Sequence, residues 1–193
     1  MFLATTDEGN ALLERDPLAL LVGMLLDQQI PMEKAFTSPS VLRDRLGGDA
    51  SGALDAHEIA ACDPVKFEEI FRQPPALHRF PAAMAKRVQA LAEILVADYD
   101  GDAQRVWADV KDGQELVRRI GALPGFGDQK ARIFAALLGK QYGVQPAGWR
   151  EAAGAYGEAG AQRSVADVVD AKSLLAVRAT KQAAKQAAKD AAK

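Results

Sequence analysis

Asp16-Pro17, Ser38-Pro39 and Asp63-Pro64 each set a side chain able to cap a helix directly before a proline. Proline's fixed φ suits the first helical position, and its missing N–H has no partner there to lose. A chain punctuated this way starts helices repeatedly. Three further starts follow from acids placed three residues after a capping group, in Asp55 with Glu58, Asp112 with Glu115 and Ser164 with Asp167. Between the starts, apolar residues recur at helical spacing, as in Val88, Leu91 and Leu95 or Leu116, Val117 and Ile120, and no segment alternates with period two for long. The chain reads as all-α, without a sheet.

Size and charge narrow the function classes. With 193 residues, 49% of them hydrophobic, the chain can bury a core as one domain or two small ones. A net charge of -2 means that any contact with nucleic acid has to come from a local patch. The single cysteine, Cys62, and two separated histidines, His57 and His78, offer neither a disulfide nor metal-ligand spacing, and no iron–sulfur cluster can be held. The start "MFLATTDEGN" has no export pattern, and Asp27 ends the apolar run "LALLVGMLL" too early for a membrane span. The expectation is a monomeric, reduced, cytoplasmic protein without cofactor or structural metal.

From Gly143 to Arg163 the chain is rich in Gly and Ala and reads as a long loop with room for one short helix. The end, "RATKQAAKQAAKDAAK", carries Lys at every fourth residue from Lys181 to Lys193. Such lysines form one slowly drifting basic stripe, expected to fray in solution and to order on a polyanion.

One stretch, "IGALPGFGDQKARIFAALL" from Ile120 to Leu138, is not explained by a helical core alone. A helix ending near Gly121 and another beginning near Gly127 would be joined by a tight turn in which Gly125 and Gly127 free the backbone. Turn amides and the positive helix end can then approach a phosphate, outward carbonyls can hold a monovalent cation, and Lys130 and Arg132 add charge. Asp128 opposes an anion unless it serves the helix start. An ordinary helix–turn–helix corner is the simpler alternative.

The segment "LPGFGDQKA", Leu123 to Ala131, resembles the hairpin of the helix-hairpin-helix GPD superfamily of base-excision DNA glycosylases. "LLVGMLLDQQIPMEKAF", Leu20 to Phe36, resembles that superfamily's early helix and its Ser/Asp-x-Gln segment, in the family's order and at about its separation. The likeness is closest to a small, cluster-free, actinobacterial-type group. It implies a two-lobed helical fold: a six-helix barrel at 17–142 carrying the hairpin at about 113–140, a lobe from 1–16 plus 143–178, and the basic tail 179–193 outside the match. It implies double-stranded DNA as partner, nucleoid association, and DNA contacts from Leu123, Pro124, Gly125, Phe126, Gly127, Gln129, Lys130 and Arg132. Gln29 matches the glutamine that fills the space left by an extruded nucleotide; a structural alternative has it capping helix carbonyls, and Gln28 can share either role.

For catalysis, the resemblance implies less. The lysine that forms a Schiff base in bifunctional members is matched by Gln129, so no lyase activity is expected. The usual aspartate after the second hairpin helix is missing from "GVQPAGW", leaving Glu151, Asp167 and Asp170 as candidate carboxylates, each with an ordinary surface or capping role as its alternative. Trp107, Trp149 and Tyr156 are candidates to stack on a base, though sparse aromatics in a helical protein commonly belong to its core. Three functions stay open: a monofunctional DNA glycosylase, a catalytically silent recogniser of damaged or distorted DNA, and a helical protein-interaction module.

Overall fold

A computed structural model describes residues 1–48 and 52–191. All regular structure among them is helical, and no strand is present there. The described chain falls into two units. The first comprises Met1, Leu3–Asp109 and Ala122–Phe126, and the second comprises Phe2, Val110–Gly121 and the chain from Gly127 onward. These boundaries differ from the expected 17–142 and 1–16 plus 143–178. The N-terminal helix groups with its sequence neighbours, and the hairpin helices group with the C-terminal elements.

In the first unit, α1 (Asp7–Arg15) is capped by the Thr6 side chain, and α2 (Pro17–Leu26) by Asp16. The Asp16 carboxylate accepts from the Leu18, Ala19 and Leu54 amides at 2.9, 3.1 and 2.8 Å, so it starts α2 and fastens a distant loop to that start. Every residue of α2 from Leu18 to Leu26 is buried. Each fully buried leucine is worth on the order of 1.5–3 kcal/mol, which makes α2 the spine of this unit. At Gly23 a Cβ would stand 2.7 Å from the Phe36 ring, so the missing side chain is what lets α3 (Met32–Arg45) approach.

The helix start read at Ser38-Pro39 is corrected by the structure. α3 begins at Met32, after Pro31, and runs through Pro39. The Ser38 hydroxyl donates to the Lys34 and Leu77 carbonyls instead of capping, and burial of Phe36, Pro39 and Leu42 holds the helix across the missing proline N–H. The Asp55 and Asp63 starts are found at α4 (Ala56–Ala61) and α5 (Pro64–Arg72). Both pack on α6 (Pro81–Tyr99), whose Val88, Leu91 and Leu95 are buried.

In the second unit, α7 (Gly113–Gly121) starts as read: the Asp112 side chain accepts from the Glu115 amide, and Glu115 reaches back to the Lys111 amide. α7 and α8 (Asp128–Gln141) pack together, and α9 (Trp149–Ala153), the short helix of the Gly-rich stretch, packs on both. A 3-10 turn at Val165–Asp167 carries the Ser164/Asp167 capping box. The last helix, α10 (Ala171–Ala191), extends through the segment expected to fray, because Ala, Lys and Gln are all strong helix formers. Lys181, Lys185 and Lys189 are exposed on it, and Lys193 lies outside the described residues.

Candidate nucleic-acid interface

The turn between α7 and α8 is anchored by apolar side chains. Leu123 and Phe126 are 3% and 4% exposed, and the Phe126 amide donates to the Leu123 carbonyl at 3.1 Å. Their part is therefore to fix the turn from inside. Pro124 is half-buried, and Gly125 and Gly127 form its surface. The two glycines differ in kind. Gly125 has φ +82, and a Cβ there would stand 3.3 Å from Leu25 Cγ, so both backbone and space demand glycine. Gly127 has φ -85, an ordinary value, and a Cβ there would meet nothing within 4 Å. The unusual dihedral read for both glycines belongs to Gly125 alone, and Gly127 leaves open space at the start of α8.

Gly127 caps α8 without a side chain, and the first intrahelical bond runs from the Ala131 amide to the Gly127 carbonyl. The amides before Ala131 therefore point out of the positive helix end. Asp128 is paired: its carboxylate accepts from Arg132 Nε at 2.9 Å, which holds the Arg132 pKa above its ordinary value. Arg132 Nη1 also donates to the Ala152 carbonyl at 2.7 Å, tying α8 to α9. Arg132 is thus engaged through two of its guanidinium nitrogens, while Lys130 is half-buried in the first turn of α8. Gln129, exposed, donates from Nε2 to the Tyr156 hydroxyl at 2.8 Å.

The two glutamines after α2 have separated roles. Gln28 is structural: its Nε2 donates to the Leu25 carbonyl at 2.7 Å, and its Oε1 accepts from Arg87 Nη1 at 2.9 Å. Its carbonyl accepts from His78 Nε2 at 2.9 Å. Gln29, the next residue, is exposed with φ 57, a left-handed conformation rare for a side chain of its size. Its side chain makes no hydrogen bond among the described residues. The carbonyl-capping role belongs to Gln28, and Gln29 is presented outward on a tip whose base is pinned. His78 is fully buried; burial lowers its pKa, and the nearby Lys34 and Arg79 charges lower it further against the bonding of Gln28. Sequence reading had no signal for His78 or Arg87, which act through this tertiary bracket.

The candidate acids are unequally placed. Asp167 is buried beside Lys140, with Nζ at 2.5 Å, and also accepts from the Arg163 and Ser164 amides. Asp170 starts α10 by accepting from the Ser173 amide at 2.7 Å, and the Ser173 bonds depress its pKa. Glu151 is exposed on α9, and its carboxylate makes no hydrogen bond among the described residues, although its backbone carbonyl accepts from the Gly154 amide. Trp107 and Trp149 are 4% and 7% exposed and belong to the core, whereas Tyr156 is half-buried and holds Gln129.

The model of the HhH-GPD superfamily base excision DNA repair proteins matches residues 22–193, a span that includes the Gln28–Gln29 tip, the hairpin and the C-terminal elements. The chain belongs to the HhH-GPD superfamily. No curated protein and no solved structure gives a significant match. As an HhH-GPD protein it is a base excision DNA repair protein, of a family that binds DNA. Among the described residues, no helix is long and apolar enough to cross a membrane, and no group of three or more His, Cys, Asp or Glu is gathered as metal ligands would be.

Proposed function

We propose that this HhH-GPD protein grips duplex DNA by its backbone at the α8 start and places Gln29 where a base has left the stack. Any chemistry it performs is then monofunctional hydrolysis of a glycosidic bond. The observation that carries this reading is the contrast between adjacent glutamines: Gln28 held at both its amide and its carbonyl, Gln29 exposed at φ 57 with no side-chain hydrogen bond among the described residues. A left-handed non-glycine residue costs about 1–3 kcal/mol, and such strain persists at sites that use it. An amide there can donate to and accept from a base edge.

Of the three candidate carboxylates, Glu151 is the one left to support hydrolysis, because Asp167 and Asp170 are engaged in holding local structure. It would stabilise developing positive charge on the sugar and orient water. The same engagement of two acids favours the second reading, a silent recogniser of damaged or distorted duplex.

Purified protein is to be tested on duplexes that each carry one lesion, scoring both binding and base release. Release from one lesion, lost in Glu151→Gln with binding kept, supports the glycosylase. Lesion preference without release supports the silent recogniser. Failure to bind any duplex overturns both and leaves an interaction module.

A further inference from the structure

A chain of net charge -2 needs a local cationic patch to meet DNA, and one surrounds the Gln28–Gln29 tip within the first unit. Lys34 on α3, Arg79 just before α6 and Arg87 on α6 are all exposed, and Lys34 and Arg79 act electrostatically on the buried His78 that bonds the Gln28 carbonyl. Arg87 stands closest to the tip by contact. Its Nη1 donates to Gln28 Oε1 at 2.9 Å, the one side-chain hydrogen bond Arg87 makes among the described residues. Its stem lies against the hairpin turn, with Cδ 3.9 Å from where a Cβ on Gly125 would stand.

We propose that Arg87 is a DNA phosphate ligand beside Gln29, positioned by Gln28 and by the glycine surface of the turn. This rests on the reading that the protein binds duplex DNA. Guanidinium chemistry fits the place. A planar fork with five N–H donors can keep one on Gln28 and turn a pair to phosphate oxygens, which the single ammonium of a lysine cannot do in fixed geometry. Gly125 matters here beyond its φ, because a Cβ there would press on Leu25 at 3.3 Å and reach van der Waals contact with the Arg87 stem. The role assigned to Arg132 from its position in the hairpin passes in part to Arg87: Arg132 is held by Asp128 and the Ala152 carbonyl, whereas the Arg87 side chain bonds one neutral group among the described residues.

The test is the salt dependence of binding to an intact duplex and to the same duplex with one abasic site. Arg87→Gln keeps a donor for Gln28 and removes the charge. It is expected to bind both duplexes about tenfold more weakly at low salt and to flatten the slope of log K against log[salt] by about 0.9, the loss of one phosphate contact. Arg87→Lys should restore the slope. A folded Arg87→Gln protein with the native slope would overturn the proposal while leaving DNA binding intact. Native protein that binds no duplex would instead remove the underlying reading, and this proposal with it. Arginine-selective modification of the native protein gives a second measure that needs no variant. Duplex should protect Arg87, and equal labelling with and without bound duplex would overturn the assignment.

Discussion

The buried His78 ring donates from Nε2 to the Gln28 carbonyl at 2.9 Å while its Nδ1 accepts from the Phe80 amide at 3.0 Å. An amide always donates, so Nδ1 is unprotonated and the ring is neutral, its single proton on Nε2. Burial lowers the His78 pKa below 6.5, so between the folded and unfolded values only the unfolded chain takes up the proton. Stability is therefore full above about pH 6.5 and falls as pH drops toward the folded pKa, by up to about 1.4 kcal/mol per pH unit. Denaturant midpoints from pH 7.5 to 5 should show this slope, and His78→Gln should lack it whatever its absolute stability. Parallel slopes for the two proteins would mean that His78 does not sense pH.

The hairpin glycines should separate. Gly127→Val, with an ordinary φ and open space around the new Cβ, is expected to melt within about 0.5 kcal/mol of the native protein and to lose at least about tenfold in duplex affinity through blocked approach to the α8 start. Gly125→Ala should instead lose about 1–2 kcal/mol of stability, from its positive φ and the Leu25 contact. Normal duplex binding by folded Gly127→Val would show that no phosphate sits there.

Gln29→Ala should reduce the preference for a mismatched or abasic duplex over a perfect one and leave binding to the perfect duplex nearly unchanged, because the amide acts only where the stack is open. Gln29→Gly should share that loss and be more stable by about 1 kcal/mol, since it relieves the left-handed φ. Competition binding and thermal melts read the two effects separately. Equal losses on both duplexes would make Gln29 part of the scaffold.

Ending the chain after Arg178 keeps the buried Val177 and removes Lys181, Lys185, Lys189 and Lys193. The salt slope should flatten by about 0.9 for each lysine that meets a phosphate, with lesion preference retained. An unchanged slope would show that the α10 stripe does not touch DNA.

No lyase activity is expected. The Gln129 amide cannot form a Schiff base, and Lys130 projects about 100° away around α8. Borohydride with abasic DNA should trap no covalent complex, whereas Gln129→Lys is expected to give some trapping. Trapping by the native protein that Lys130→Ala abolishes would identify Lys130 as the nucleophile.

Local chemistry makes much of this molecule legible in its sequence. Asp16, Asp55 and Asp63 cap the helices they were read to cap, and α7 and α8 end and begin where the hairpin glycines suggested. Ser38-Pro39 misled because the same dipeptide serves a helix start or a buried helix interior, and only the packing of Phe36 and Leu42 decides. The site was legible as far as its backbone. Which of two adjacent glutamines faces outward depends on His78 and Arg87, tens of residues away, and Arg132 looked available because Ala152, its carbonyl partner, is brought to it by α9.

Trp149 occupies the room left by two glycines: a Cβ on Gly139 would lie 2.4 Å from its ring, and one on Gly113 would lie 2.5 Å from its Cα. Gly139 is on α8 and Gly113 opens α7, so the Trp149 indole fills the gap on α8 while its backbone closes on α7. The helix-hairpin-helix of this protein is consequently not a portable cassette. Excised as residues 113–141 it would carry an empty indole-shaped furrow on its flank, and transplanting it into another scaffold would require bringing α9 along as its third wall.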